Sequence, residues 1–375
     1  MAPCTNPRLS KHVSPSFLGN LHKHIQSGKA TMLESQRVAI ASISLGWHES
    51  FSLEEKIHAA SSSGYKGIEI VHSDLQKEAT SRSETIEQCA EYISQLCRER
   101  NLGVVTLASF DNYEGSPLPL VERLEEALRW VNLARILQAD SIQVPASYDH
   151  ASLAVSEDAI VDELRLLADC GMPRSGRDEA TITVAYEPMS WSVRTDTWEH
   201  AIYIKRRVAR SNFKLCLDTY HILTKLWGDC TVASGRIPNG DLRLEESLHG
   251  FLRQVQPDDV AFVQLSDVER MDPPVSFNTL RKAGKHYAWY WCSWGRLFPL
   301  EAEEGAYLPM IGICRAWLVD LGWTGWVSME TFHRKMTDEK TRPDHWAERG
   351  MKSWNRLKQA ISQPPNSEGQ ARSKL

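Results

Sequence analysis

Four oxygen-bearing side chains stand at the ends of four successive β-type runs: Glu187 after TVAY, Asp218 after FKLCL, Gln264 within FVQLSD and Glu330 after WVSM. Brought to one rim, they would form the donor set of a small hard cation. Three carboxylates packed together repel, so that at least one takes up a proton unless a divalent ion offsets the charge. An all-oxygen set, with no Cys and with Gln where a His could stand, suits Mg²⁺ or Mn²⁺ before Zn²⁺ or Co²⁺. Each residue also has an ordinary explanation. Asp218 can be a helix N-cap, Gln264 can satisfy a buried backbone group, and Glu187 and Glu330 can be surface acids. Their equivalent places on consecutive strands favour the chemical reading.

His221 lies three residues beyond Asp218, in the segment leaving the sixth strand, and there it would lean over an ion rather than ligate it. A neutral imidazole so placed is a candidate proton carrier; otherwise it is a polar residue at a helix start. Asp267, just past Gln264, is a candidate to support the metal ligands from behind. Arg296 can hold a substrate carboxylate through a two-point salt bridge, or pair with Glu301, Glu303 and Glu304.

The elements that must position these groups recur with a steady beat. Apolar runs at 38–44, 67–71, 104–109, 141–146, 183–188, 213–218, 260–267 and 325–331 alternate with longer segments of helical period, such as LVERLEEALRWVNLARIL at 120–137. The runs are continuously apolar rather than alternating, as in a parallel sheet covered on both faces. Eight such units predict an α/β fold, a single-domain (β/α)₈ TIM barrel over 37–357, with an extension at 1–36 and a tail at 358–375. A doubly wound sheet is the competitor, but no G-x-G-x-x-G follows the first strand. Between the seventh and eighth strands lies a long insertion, residues 269–307, rich in Trp, Tyr and Arg and too aromatic for disorder.

Composition narrows the function classes. A net charge of -5 over 375 residues gives no broad basic face for nucleic acid, and no stretch is long and apolar enough to cross a bilayer. The eight cysteines include no C-x-x-C pair and read as reduced thiols of an intracellular protein. Residues 1–33 lack Asp and Glu but hold a single Arg, a poor transit peptide, and Met32 is an alternative start. The chain ends on Ser373, Lys374 and Leu375, a peroxisomal address that a peroxisomal import receptor would read; without it the expected location is the cytoplasm.

At these residues the chain resembles the 3-dehydroshikimate dehydratases within the xylose-isomerase-like barrel superfamily. The resemblance runs from about Val38 to about Leu357, and its most specific stretches are 42–75, FDNYEG (110–115), YEPMSWSVRTDTWEHA (186–201), NFKLCLDTYHI (212–222), VQLSD (263–267), CSWGRLFP (292–299) and MET (329–331). It implies divalent-metal ligation by Glu187, Asp218, Gln264 and Glu330, proton transfer at His221, and Arg296, Trp191 and Glu114 on the substrate side. The implied reaction is a lyase's loss of water from 3-dehydroshikimate to give protocatechuate. The loop after the first strand is shorter than usual, and P-M-S-W and SWGRLFP depart from the family pattern on the substrate side. Three rivals follow. A sugar or sugar-phosphate isomerase or epimerase would give Arg296 less to do. An abasic-site endonuclease would need histidines and a basic face that are missing, and a binding protein would have kept the barrel without turnover. The partner in the leading reading is a small ring ketone or carboxylate, and a homo-oligomer is left open.

Overall fold

A computed structural model describes residue 33 and residues 36–363 of the chain. The transit, start-site and peroxisomal readings fall on residues 1–32 and 373–375, outside the described residues. Eight parallel strands, β1 (Arg37–Ala41), β2 (Gly67–Val71), β3 (Gly103–Ala108), β4 (Ala139–Pro145), β5 (Thr183–Glu187), β6 (Phe213–Asp218), β7 (Val260–Leu265) and β8 (Trp326–Met329), close into a barrel in sequence order, with β8 paired to β1. Around it run α1 (Leu53–Ser62), α2 (His72–Arg82), α3 (Ile86–Glu99), α4 (Leu120–Leu137), α5 (Glu157–Gly171), α6 (Trp198–Val208), α7 (Thr219–Leu226) and α8 (Gly240–Gln254). The insertion adds α9 (Phe277–Ala283) and α10 (Tyr287–Gly295); α11 (Met310–Arg315) and α12 (Pro343–Ser362) complete the shell. The (β/α)₈ prediction is correct.

Local sequence explains the helix starts. Ser52 with Glu55, and Thr85 with Gln88, form reciprocal capping boxes at α1 and α3. Thr197 and Ser156 cap α6 and α5 through their hydroxyls.

The period-two alternation of the strands makes two cores. Outward residues such as Leu215, Leu217, Val263 and Leu265 pack beneath the helices, whereas Ala39, Val105, Ala185, Cys216, Phe262 and Trp326 fill the barrel interior. Trp326 plugs the N-terminal end. Its ring lies so close to Gly67 and Gly103 that a Cβ on either would approach it to 2.7 and 2.9 Å, so only glycine fits there. Its indole N–H donates to Asp140 at 2.7 Å, and Arg37 stacks on it at 4.2 Å.

Candidate active site at the C-terminal rim of the barrel

On three of the strands the residue two positions beyond an apolar interior residue carries a polar group on the same face. Ala185 is followed by Glu187, Cys216 by Asp218 and Phe262 by Gln264, while on β8 Glu330 lies four residues beyond Trp326. All four polar groups are buried, from 0% exposed for Gln264 to 9% for Glu330. Glu187 and Glu330 line the floor of a cavity of about 370 Å³ that opens at the strand C-termini and is walled by Trp47, Trp191, Trp289 and Phe332, while Asp218 and Gln264 lie behind its lining residues Arg296 and Gln143.

Arg296 reaches this floor from the insertion and is 1% exposed. Its Nη2 donates to Asp218 Oδ2 at 2.7 Å, its Nη1 lies 3.0 Å from Glu330 Oε2, and its Nε donates to Ser266 Oγ at 3.0 Å. The guanidinium is held between the rings of Tyr220 and Phe332, 4.9 Å from each centroid. Burial opposes its charge, but Asp218 and Glu330 outweigh that and keep it protonated. Arg296 lines the cavity with its fork on two carboxylates of the site, so the expected alternative pairing with Glu301, Glu303 or Glu304 is not what the structure shows. Those acids face Arg349, Arg356 and Lys335 instead.

Asp218 serves two ends at once. Its Oδ1 caps α7 by accepting the Tyr220 N–H at 2.8 Å, and its Oδ2 faces Arg296 and His221. His221 sits inside the first turn of α7, not in a loop, with its Nε2 3.5 Å from Glu187 Oε1 and 3.6 Å from Asp218 Oδ2. Its Nδ1 accepts the Ser190 backbone N–H at 3.1 Å. A backbone N–H can only donate, so the neutral ring must carry its proton on Nε2, facing the carboxylates. Burial, then Arg296, hold the ring well below its usual pKa and therefore neutral. Glu187, Asp218 and His221 bring their donor atoms within 4.8 Å of one another. Ligation through Nε2 would require the proton to sit on Nδ1, against the Ser190 N–H, which argues against His221 as a ligand.

Burial is also the main force on the acids. It lifts Glu187 well above the carboxylate range and Glu330 to about 7, and raises Asp218 against the pull of Arg296. Glu187 Oε1 is buried without a hydrogen-bond donor. An orphaned carboxylate oxygen among acids outnumbering their one guanidinium fits a divalent cation, the carboxylates of Glu187, Asp218 and Glu330 being the groups that could hold it.

Two interior residues escaped the sequence reading. Glu69 on β2 is fully buried, pushed up to about 8 by burial and then by Glu330, and accepts the Gln264 Nε2–H at 2.9 Å. Gln143 on β4 donates to Glu187 Oε2 at 2.7 Å. Both were signalled by a long polar side chain inside a largely apolar run, Glu69 in GIEIV and Gln143 in SIQVPA.

Two further expectations need correction. Asp267 does not approach Gln264, because residues three apart on a strand face opposite sides. It instead accepts backbone N–H groups of Val268, Leu300, Tyr307 and Leu308 and so pins down the insertion. Glu114 lies behind the cavity wall, its carboxylate bonded to the Ser147 N–H at 2.6 Å and the Tyr186 hydroxyl at 3.0 Å. Trp191 does line the cavity, edge-on to His221 at 4.7 Å and stacked on Trp289 at 6.0 Å.

Comparison with known proteins identifies the lineage. Residues 57–357 match the family model described as xylose isomerase-like TIM barrel. A 3-dehydroshikimate dehydratase of Neurospora crassa is 36% identical over 349 residues, covering 88% of this chain and 95% of its own. Among solved structures, a xylose isomerase-like TIM barrel/4-hydroxyphenylpyruvate dioxygenase fusion protein superposes with a TM-score of 0.65 at 22% identity, covering 88% of this chain and 45% of that one. The IOLI protein with a binding zinc atom superposes with a TM-score of 0.62 at 15% identity, covering 87% and 98%.

Proposed function

The chain belongs to the xylose isomerase-like TIM barrel family and to its 3-dehydroshikimate dehydratase branch, and on that premise we propose that it is a divalent-metal-dependent lyase that removes water from 3-dehydroshikimate to give protocatechuate. The observation that carries the reading is the match to the Neurospora enzyme over nearly its whole length, with a buried acid cluster at the mouth of the same barrel.

The chain's own residues supply most of what the reaction needs. A bound Mg²⁺ or Mn²⁺ would contribute Lewis-acid polarisation of the ring carbonyl, held by the carboxylates of Glu187, Asp218 and Glu330 with Gln264 as the fourth oxygen donor. His221 presents Nε2–H to the cavity, with its ring fixed by the Ser190 N–H on one side and Trp191 on the other. In this role the neutral ring donates a hydrogen bond through Nε2–H to an oxygen that gains charge as the hydroxyl departs, and the proton lost from the adjacent ring carbon leaves with that hydroxyl as water. Trp47, Trp191, Trp289 and Phe332 supply apolar, aromatic walls that suit a six-membered ring and keep bulk water away. Arg296 remains the cation of the floor and balances Asp218 and Glu330. Aromatisation of the ring drives the elimination.

The test is direct. Purified protein given Mg²⁺ or Mn²⁺ and 3-dehydroshikimate should show growing protocatechuate absorbance that a chelator abolishes. No product from 3-dehydroshikimate, together with turnover of free or phosphorylated sugars, would move the assignment to an isomerase or epimerase. Peroxisomal residence, suggested by Ser373–Lys374–Leu375, predicts punctate fluorescence for a fusion that leaves this C-terminus free, and diffuse signal when Leu375 is deleted.

A further inference from the structure

A primary amide has two ends of similar size and opposite hydrogen-bonding character, so a glutamine used for its oxygen must be told which way to face. Gln264 is fully buried, and its two ends have different neighbours. Its Nε2 donates to Glu69 Oε2 at 2.9 Å; its Oε1 accepts from Cys216 Sγ at 3.2 Å and lies 3.5 Å from Gln143 Nε2. That same Gln143 nitrogen donates to Glu187 Oε2 at 2.7 Å. The result is a line of contacts across the barrel interior, from Glu69 on β2 through Gln264 on β7 and Gln143 on β4 to Glu187 on β5. With Glu69 ionised, reversing the Gln264 amide would turn its carbonyl onto that carboxylate and its NH₂ onto the Gln143 NH₂, two like-with-like contacts in a fully buried interior.

We infer that Glu69 is a positioning residue: by accepting the Gln264 N–H it turns the Gln264 oxygen toward the Glu187 side of the barrel, where a divalent ion would be held. Gln143 completes the arrangement. It binds Oε2 of Glu187 and leaves Oε1, which has no hydrogen-bond donor, facing the site. The inference rests on the proposed metal reading but assigns roles to Glu69 and Gln143, which the metal would not touch. Partners of this kind set ligand orientation, and their loss costs about 10–100-fold in metal affinity.

The experiment is Mn²⁺ binding to the full-length protein, followed by the electron paramagnetic resonance signal of free Mn²⁺, alongside thermal unfolding without metal. Glu69→Gln keeps the size of the side chain but can meet either end of the Gln264 amide, so Mn²⁺ affinity should fall about tenfold or more while metal-free unfolding stays close to wild type. The exchange Glu69→Gln/Gln264→Glu puts a symmetrical carboxylate on β7, for which orientation is immaterial, and should restore affinity. Wild-type Mn²⁺ affinity in Glu69→Gln overturns the inference alone. So does a loss that follows a collapse of metal-free stability and persists in the exchange. A wild-type protein that binds no Mn²⁺ overturns the metal reading and the inference together.

Discussion

Replacing Arg296 by Met removes one guanidinium while roughly keeping the volume of the stem between Tyr220 and Phe332. In the structure that guanidinium is 1% exposed and serves Asp218, whose side chain is 0% exposed, and Glu330, at 11%. Removing one partner of such a pair leaves a buried charge without compensation, which costs about 3–5 kcal/mol, unlike a surface pair worth ~1 kcal/mol or less. For a domain of this size about 2 °C of unfolding temperature accompanies each kcal/mol, so a drop of about 6–10 °C is expected at pH 8 in the presence of a chelator. The cost should shrink as pH falls toward 5, because protonated carboxyls no longer need a cation. Added Mn²⁺ should recover much of the loss, since an ion bound only to the folded state stabilises it. The assay is differential scanning fluorimetry of wild type and variant across pH, with and without Mn²⁺. A variant as stable as wild type at pH 8, but with a raised KM alone, would refute this reasoning and return Arg296 to the role of a substrate anchor.

Other substitutions separate the remaining roles. His221→Gln should lower the dehydration rate by about 10²–10⁴-fold yet leave Mn²⁺ affinity unchanged; a parallel loss of Mn²⁺ binding would make His221 a ligand despite the Ser190 contact. The metal-free protein should lose stability as pH rises from 5 to 8. Glu330 and Glu69 titrate at about 7 and about 8 when folded, above ordinary carboxylates, so in this window the folded state holds protons that the unfolded chain has released. Stability that rises with pH across the same range would count against these shifts. Asp267→Asn should cost about 2 kcal/mol or more by stranding backbone donors of the insertion, and should expose 269–307 to limited proteolysis; unchanged cleavage there would deny Asp267 that role.

The barrel was legible because its strands are buried on both faces and its helices on one, so that continuous apolar runs and amphipathic segments alternate along the chain. Strand ends were harder to read. The run beginning at Val38 keeps an apolar or small residue at every position to Leu45, but the strand stops at Ala41 and residues 42–45 coil into a 3₁₀ turn. The run at 325–331 ends as strand at Met329, beyond which the Thr331 N–H turns to the Ser44 hydroxyl at 2.8 Å. Hydrophobicity cannot announce such endings, because the residues remain buried while their hydrogen-bond partners change. Nor could composition supply the helices α9 and α10 of the insertion, whose aromatic content said only that it is ordered.

At the site, the identities of the acids could be read and their partners could not. Glu187, Asp218, Gln264 and Glu330 follow from period-two alternation at strand ends, a local property. The pairing of Arg296 with Asp218 spans 78 positions and depends on how the insertion folds back, which no local pattern encodes. The link between the two lies on and just beyond β7. Gln264 faces the floor, Ser266 two residues on binds Arg296 Nε, and Asp267 on the opposite side binds the backbone at Leu300, Tyr307 and Leu308. Docking the insertion and neutralising the floor are therefore one event, since the loop that Asp267 secures is the loop that brings in the guanidinium. With Glu69, the floor holds four buried carboxyls against that single fixed cation. The remainder must be met by protons or by a divalent ion, and because a buried unpaired charge costs several kcal/mol, either choice is coupled to the stability of the whole rim. An insertion of this kind is better regarded as a structural part of the charge balance than as a lid over a finished site.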